Sequence, residues 1–251
     1  MFDVSLISFS PTGSTFRVAQ TIANEWGKRH QHIDLTLSNL TQTVCQSPLA
    51  VIAMPVYAGR VPTVAIERLR EISSRGAKAV TVVVYGNRAY EDALLELNDE
   101  VEDLGFEIVG SAAIVAQHSV VSALANGRPN EADNESIRHF AHSVVTKLSQ
   151  NEKASISVPG NRPYREGMKA PLTPMVTEQC LGCRACVTQC PTQAISMIDP
   201  KVTDLSKCIL CMRCVVTCPM RARVLPEPFM EVMQLKLSAF VSVHRENEFF
   251  I

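Results

Sequence analysis

Cysteine placement constrains this chain more than any other feature of its sequence. Eight of the nine cysteines lie between Cys180 and Cys218, and only Cys45 lies elsewhere. They form two runs of the pattern C-x2-C-x2-C-x3-C-P, and each cysteine of the first run recurs 28 positions later, as Cys180 does at Cys208. The repeat indicates two duplicated halves of one small unit.

Three kinds of cysteine site compete for this segment. Disulfides fit poorly because the count is odd and Met1 to Ser5 lack the basic and apolar stretch of a secretory signal. Structural zinc fits poorly because it usually takes two separated C-x2-4-C pairs. In an iron–sulfur site, three closely spaced cysteines wrap one corner of a cubane and a fourth approaches from the opposite side. We therefore expect an iron–sulfur segment in a cytoplasmic protein.

The segment from about Met175 to Leu225 resembles the two-cluster bacterial ferredoxins, whose cysteine runs have this spacing and end in Cys-Pro. In that family the fourth cysteine of each run binds the other cluster. The resemblance implies two 4Fe-4S clusters with crossed ligand sets. Cluster one would be held by Cys180, Cys183, Cys186 and Cys218, and cluster two by Cys208, Cys211, Cys214 and Cys190.

The first 150 residues alternate short apolar runs with amphipathic stretches, which predicts a parallel sheet covered by helices. The expected strands are Val4 to Phe9, Ile33 to Leu37, Leu49 to Met54, Ala79 to Tyr85 and Phe106 to Ala116. The expected helices are Ser14 to Lys28, Thr63 to Ser74, Glu91 to Leu104 and Glu131 to Leu148. This pattern predicts a doubly wound α/β domain with its ligand site at the carboxyl ends of the strands.

A loop rich in hydroxyls follows the first strand and precedes the first helix, where amides and the helix dipole favour an anion. The sequence S-P-T-G-S-T resembles the flavodoxin loop (S/T)-x-T-G-x-T, although Ser14 replaces a frequent Asn, and a simple capping turn is the competing interpretation. The resemblance implies a flavodoxin-like fold with five parallel strands in the order 2-1-3-4-5 and an FMN phosphate site. Its contacts would be Ser10, Thr12, Gly13, Ser14 and Thr15.

Two further loops lie where flavodoxins hold the flavin ring. The resemblance implies ring contacts from the loop after the third strand, at Pro55, Val56, Tyr57, Ala58 and Gly59, and from the loop after the fourth, at Gly86, Asn87, Arg88 and Tyr90. Arg60 and Arg88 are the charged residues of these loops, so we expect a cationic rim that favours the anionic reduced flavin. The alternative is that both arginines point into water or bind an acidic patch on a partner. His118, after the fifth strand, either faces the flavin or is an ordinary loop residue.

The expected domains are residues 1–150, a proline-rich linker at 151–174, the ferredoxin-like unit at 175–226 and a C-terminal helix at 227–251. A net charge of −1 gives no reason to expect nucleic acid, and no apolar run is long enough for a membrane span. No Ser/His/Asp or Cys/His arrangement indicates hydrolytic catalysis.

The two resemblances together imply a flavodoxin–ferredoxin fusion that relays single electrons between its clusters, FMN and a redox partner protein. A homodimer is compatible with this hypothesis. One alternative is an enzyme that reduces a small substrate at an open flavin face. Another is a first domain without flavin that only docks the ferredoxin unit to its partner.

Overall fold

The computed structural model describes residues 3–37, 43–150, 156–167 and 169–251. The chain forms an α/β domain, a small cysteine-rich domain and a C-terminal arm that returns to the first domain. The elements of the α/β domain are β1 (Val4–Ser8), α1 (Ser14–Trp26), β2 (His30–Asp34), β3 (Thr43–Val44), β4 (Leu49–Pro55), α2 (Thr63–Leu69), β5 (Ile72–Ser73), β6 (Lys78–Tyr85), α3 (Ala93–Asp103), β7 (Glu107–Val115) and α4 (Glu131–Ser149).

The main sheet of this domain is parallel through β2, β1, β4, β6 and β7, in that order. Strands β1 and β4 are buried along their whole length, as expected for strands covered on both faces. One apolar core lies between the sheet and helices α2 and α3, and a second lies between the sheet and helices α1 and α4. The architecture is the doubly wound, flavodoxin-like one, and its strand ends meet at one edge.

The remaining elements are β8 (Met175–Val176), α5 (Ala185–Thr188), α6 (Arg213–Val216), β9 (Arg223–Val224), α7 (Glu227–Val241) and β10 (Glu248–Phe250). Strands β8 and β9 pair antiparallel and close the cysteine-rich domain. Two arginines tie this domain to the first one: Arg68 donates to the Pro191 carbonyl and Arg213 donates to the Pro11 carbonyl. The loop from Ser10 to Thr15, which we call the phosphate loop after its expected ligand, therefore lies close to the second cysteine run.

The C-terminal arm corrects the prediction of one helix over residues 227–251 and of a five-stranded sheet. Helix α7 ends at Val241, and β10 adds a sixth, antiparallel strand beside β7. Phe249 stacks on Phe140 with ring centroids 5.0 Å apart, and the Asn247 side chain accepts from the Val115 amide. The residues after α7 therefore pair with the sheet and pack on α4 instead of continuing the helix.

Two predicted boundaries in the first domain also differ from the structure. Helix α2 stops at Leu69, because Ile72 and Ser73 pair with β3 instead of continuing the helix. Strand β2 runs from His30 to Asp34, where it pairs with β1 as the edge strand. Its polar residues gave no apolar run to detect.

Part of the predicted linker packs on helix α3, while residues 151–155 and 168 lie outside the described residues. Asn161 donates to Asp92, and Arg162 and Tyr164 both donate to Asp99. The described residues 156–167 form neither helix nor strand. No helix in the described ranges is both long and apolar enough to cross a membrane.

Candidate functional site

The loop between β1 and α1 is a preorganised cradle at the carboxyl edge of the sheet. Ser10 supports it internally: its hydroxyl accepts from the Phe16 amide at 2.9 Å, and its own amide donates to Thr36 Oγ1 at 2.7 Å. Gly13 adopts a φ of 89°, a conformation that favours glycine. The hydroxyls of Thr12 and Ser14 lie 3.4 Å apart. This arrangement suits an anion such as phosphate.

The cradle opens into a cavity of about 700 Å³, within the range of small-molecule sites, which we call the interdomain cavity. The first domain supplies Pro11, Thr12, Ser14, Thr15, Pro55, Val56, Tyr57, Ala58, Val84, Tyr85, Gly86, Arg88, Ala116, Gln117, His118, Ser119 and Val120. The other wall is formed by Lys169, Pro171, Ile209, Leu210, Phe229, Val232, Met233, Lys236 and Leu237. The cavity therefore lies between the phosphate loop and the cysteine-rich domain, with α7 along one side.

Most of the residues expected at a flavin line this cavity. They are Thr12, Ser14, Thr15, Pro55, Val56, Tyr57, Ala58, Gly86 and Arg88. Burial raises the pKa of Tyr57 well above its usual value, and Cys211 adds to this shift. Ile209 and Leu210 of the second cysteine run line the same cavity as Tyr57, a proximity that the sequence did not indicate.

Five expected contacts, Ser10, Gly13, Gly59, Asn87 and Tyr90, do not line the cavity. Ser10 and Gly13 shape the loop from behind, as described above. Asn87 donates to the carbonyls of Phe240 and Val243, and Tyr90 donates to Glu248 at 2.7 Å. These two side chains anchor the C-terminal arm instead of facing a ring, a role that a prediction of one helix over residues 227–251 does not indicate.

The packing of the loop after β4 explains why position 59 is a glycine. Its φ is 84°, and a Cβ placed there would meet the Glu91 carboxylate at 1.8 Å. Glycine is needed because the turn after β4 packs directly against the loop that precedes α3.

The expected cationic rim is wrong at Arg60. This residue does not line the cavity; it makes a two-point ion pair with Glu96, with distances of 2.7 and 2.6 Å, and lies over the Tyr164 ring. Arg88 lines the cavity but pairs with Glu91 at 2.9 Å. The other cations at the cavity are Lys169 and Lys236, from segments that sequence reasoning had not linked to the site.

His118 lines the cavity and is held in one tautomer by its own loop. Its Nδ1 accepts from the amides of Val120 and Val121 at 3.2 and 3.0 Å, which places the proton of the neutral ring on Nε2. Burial lowers the pKa of His118, and Arg88 lowers it further. Gly86 admits the ring, since a Cβ there would lie 2.5 Å from His118 Cδ2.

The eight clustered cysteines line two further cavities, four in each. The outer cavity is lined by Cys180, Cys183, Cys186 and Cys218, and the inner cavity by Cys208, Cys211, Cys214 and Cys190. Each therefore combines three cysteines of one run with the fourth of the other. Among the residues that the structure describes, no group of three or more His, Cys, Asp or Glu side chains is arranged to hold a single metal ion.

The two runs share their backbone conformation as well as their spacing. Positive φ values recur 28 positions apart in three pairs: Gly182 and Leu210, Arg184 and Met212, Gln193 and Arg221. The fourth cysteines also match, because Cys190 Sγ accepts the Ala194 amide at 3.3 Å and Cys218 Sγ accepts the Ala222 amide at 3.2 Å. Amides directed at sulfur stabilise thiolate charge and tune bound clusters.

Comparison with protein families identifies this segment. Residues 175–219 match the family model of the 4Fe-4S dicluster domain. This part of the chain is a 4Fe-4S dicluster domain. Clusters of this type transfer electrons, which places the protein among electron-transfer proteins in general. No curated protein matches the chain.

Solved structures similar to the first domain include three redox proteins. The flavodoxin of Streptococcus pneumonia TIGR4 is 18% identical with a TM-score of 0.41, over 58% of this chain and 99% of that one. The Fusobacterium nucleatum flavodoxin bound to flavin mononucleotide is 13% identical with a TM-score of 0.43, over 59% and 99%. The rubredoxin oxygen:oxidoreductase of Desulfovibrio gigas is 11% identical with a TM-score of 0.42, over 59% of this chain and 36% of that one.

Proposed function

We propose that this protein relays electrons among two 4Fe-4S clusters, one FMN and a partner redox protein. One observation carries the proposal: Ile209 and Leu210, which stand between Cys208 and Cys211 in the sequence, form a wall of the interdomain cavity that begins at the phosphate loop. A flavin in that cavity and a cluster in the inner cavity would be separated only by this short loop.

The two groups of four cysteines are the proposed ligand sets. The outer cluster is assigned to Cys180, Cys183, Cys186 and Cys218, and the inner cluster to Cys208, Cys211, Cys214 and Cys190. The crossed arrangement is what a duplicated dicluster domain requires. Bound 4Fe-4S clusters supply single electrons, and a bound flavin exchanges one or two.

The first domain supplies the proposed flavin contacts. Thr12, Ser14 and Thr15 bring hydroxyls and amides to a single phosphate at the start of α1, which favours FMN over a dinucleotide. Tyr57 and the apolar loop residues beside it line the part of the cavity that would take the ring.

The far wall favours electron relay over direct reduction of a small substrate. Phe229, Met233 and Leu237 of α7 cover one side of the interdomain cavity, and Ile209 and Leu210 cover another. A ring bound in the cavity would face the loop of the second cysteine run, which suits electron transfer to a cluster, whereas a reductase of small molecules needs a ring face left free for its substrate.

The test is reconstitution under anaerobic conditions, followed by FMN titration of the protein and of a Thr12→Ala variant. We expect one FMN per chain and about eight iron and eight sulfide, as two cubanes require. Removing the Thr12 hydroxyl should weaken FMN binding by ~1.5 to 3 kcal/mol, the contribution of a hydrogen bond to a charged group.

A matched threonine provides the control for this variant. Thr21 lies on α1, the helix that follows the loop, and its hydroxyl donates to the Arg17 carbonyl without lining the cavity, so Thr21→Ala should leave FMN affinity unchanged. Failure to bind FMN would reject the flavin part of the proposal. Oxidation of the reduced protein by small molecules and not by redox proteins would reject the relay.

A further inference from the structure

Arg213 is a half-buried cation placed between the phosphate loop and the inner cavity. It begins α6, between Cys211 and Cys214, and lines the inner cavity. Its Nη1 donates to the Pro11 carbonyl at 3.0 Å, and its Nη2 donates to the Gln189 side chain. Its Nε is buried and has no hydrogen-bond partner. Both groups that accept hydrogen bonds from its guanidinium are neutral.

A buried guanidinium normally has an anion beside it, because removing the charge from water is costly. Arg213 forms no ion pair with any carboxylate in the described ranges of the chain. The neutral partners satisfy part of its hydrogen-bonding capacity but none of its charge. The charge of Arg213 is therefore suited to pair with an anionic group that binds beside it.

We propose that Arg213 is a positioning residue that supplies positive charge to both the FMN phosphate and the inner cluster. This inference rests on the proposed function. On one side, Arg213 holds Pro11, the residue that precedes Thr12 in the phosphate loop. On the other, it is adjacent in sequence to Cys214 and holds Gln189, the neighbour of Cys190. The cation thus contacts the supports of two anionic sites.

The internal repeat shows that dicluster geometry does not itself require an arginine here. The position 28 residues earlier is Ala185, which begins α5 with the same backbone conformation before it. Ala185 belongs to the run that faces away from the interdomain cavity. At this position, therefore, the arginine occurs only in the run that contacts the phosphate loop, because the arginine of the first run, Arg184, is equivalent to Met212.

The test compares FMN with riboflavin, which lacks the phosphate, in flavin-free protein that retains both clusters. For Arg213→Gln, we expect FMN to bind about tenfold more weakly, which corresponds to ~1.4 kcal/mol, while riboflavin affinity stays the same. Arg213→Lys should restore most of the FMN affinity because it keeps the charge. The inner cluster of Arg213→Gln should titrate at a more negative potential, because reduction adds negative charge to it.

Arg221→Gln is the matched control. Arg221 is an exposed arginine of the same domain, and the equivalent residue of the first run is Gln193, so the change is compatible with the fold. This variant should leave FMN affinity and the inner cluster potential unchanged.

Three outcomes would overturn the inference. Equal losses of FMN and riboflavin affinity in Arg213→Gln would show a contact that only aligns the domains. Unchanged FMN affinity and potential, in a wild-type protein that binds FMN, would reject the role of Arg213 and leave the proposed function intact. A wild-type protein that binds neither flavin would reject both.

Discussion

The two cysteine runs have the same spacing and backbone but lie in different surroundings. We call the first run, Cys180 to Cys190, the outer run and the second run, Cys208 to Cys218, the inner run. In the outer run, Cys183 is exposed and Leu181 exposes 74% of its surface. At the equivalent positions of the inner run, Cys211 is only 9% exposed and Ile209 lines the interdomain cavity. Position relative to the first domain, and not ligand spacing, therefore determines which centre meets solvent.

This difference suggests a division of labour between two halves of one repeat. In the proposed relay, the outer run would hold the cluster that a partner protein can reach, and the inner run would hold the cluster next to the flavin. The two runs have the same cysteine spacing, and contact with the α/β domain accounts for their different exposure to solvent.

The largest effect should come from changing the fourth cysteine of each run. Cys218→Ser should remove the outer cluster and Cys190→Ser the inner one, although each residue lies in the other cluster's run. Iron should fall from about eight to about four per chain in both variants. Electron paramagnetic resonance of the reduced proteins should show a different cluster missing in each.

The two cysteine variants serve as controls for each other. If Cys190→Ser lost the outer cluster, the ligand sets would not be crossed, and the comparison between inner and outer sites would have to be redrawn.

A second difference should appear in access from solvent. Because Cys183 is exposed and Cys211 is buried, an iron chelator added to the intact protein should remove iron from the outer cluster several-fold faster than from the inner one. Electron paramagnetic resonance spectra taken during the reaction show which cluster loses iron, because each serine variant gives the spectrum of one cluster alone. Equal rates would show that the burial difference does not protect the inner site.

A smaller effect is expected from one matched pair of loop residues. Leu210 lines the interdomain cavity with a φ of 52°, whereas its counterpart Gly182 has a φ of 69° in open space. Leu210→Gly should weaken FMN binding by ~1 kcal/mol through lost apolar contact. Gly182→Ala should cost ~1 kcal/mol of stability through backbone strain and leave FMN affinity unchanged. Equal effects on FMN would remove Leu210 from the flavin site.

The smallest expected effect is a pH dependence at His118. Its pKa is lowered by burial, so the unfolded chain takes up a proton at a pH where the folded ring stays neutral. Stability should fall as the pH drops below about 6.5, the ordinary histidine value, through the lower folded value. The loss of stability between neutral and acidic pH should be smaller in the His118→Asn variant, because asparagine does not take up the proton.

Urea unfolding followed by fluorescence measures this dependence, because Trp26 is the single tryptophan and is buried in the first domain. The pKa of His32 is also lowered by burial, but His32 contributes equally to both proteins. An identical pH dependence in His118→Asn would contradict the proposed environment of His118.

Much of this organisation could be predicted from the sequence because it depends on local patterns. The cysteine spacing, the apolar runs of β1 and β4, and the loop from Ser10 to Thr15 each combine a distinctive composition with a short range. They sufficed for the α/β domain, the dicluster domain and the position of the phosphate loop.

The rest depends on contacts between distant segments, which a single sequence does not reveal. Asn87 and Tyr90 hold a C-terminal arm more than 150 residues away, with separations of 153 for Asn87 to Phe240 and 158 for Tyr90 to Glu248. Glu96 neutralises Arg60 from the first turn of α3. Leu210 and Lys236 reach the cavity only through the docking of separate elements.

The proposal that FMN binds next to the inner cluster is tested most directly by adding FMN to the flavin-free protein. The electron paramagnetic resonance spectra of the reduced clusters are recorded during the titration. The serine variants assign each spectrum to the inner or the outer cluster. If FMN binds in the interdomain cavity, the spectrum or potential of the inner cluster should change and that of the outer cluster should not. FMN binding that leaves the inner cluster unaffected, or that alters both clusters equally, would contradict the account.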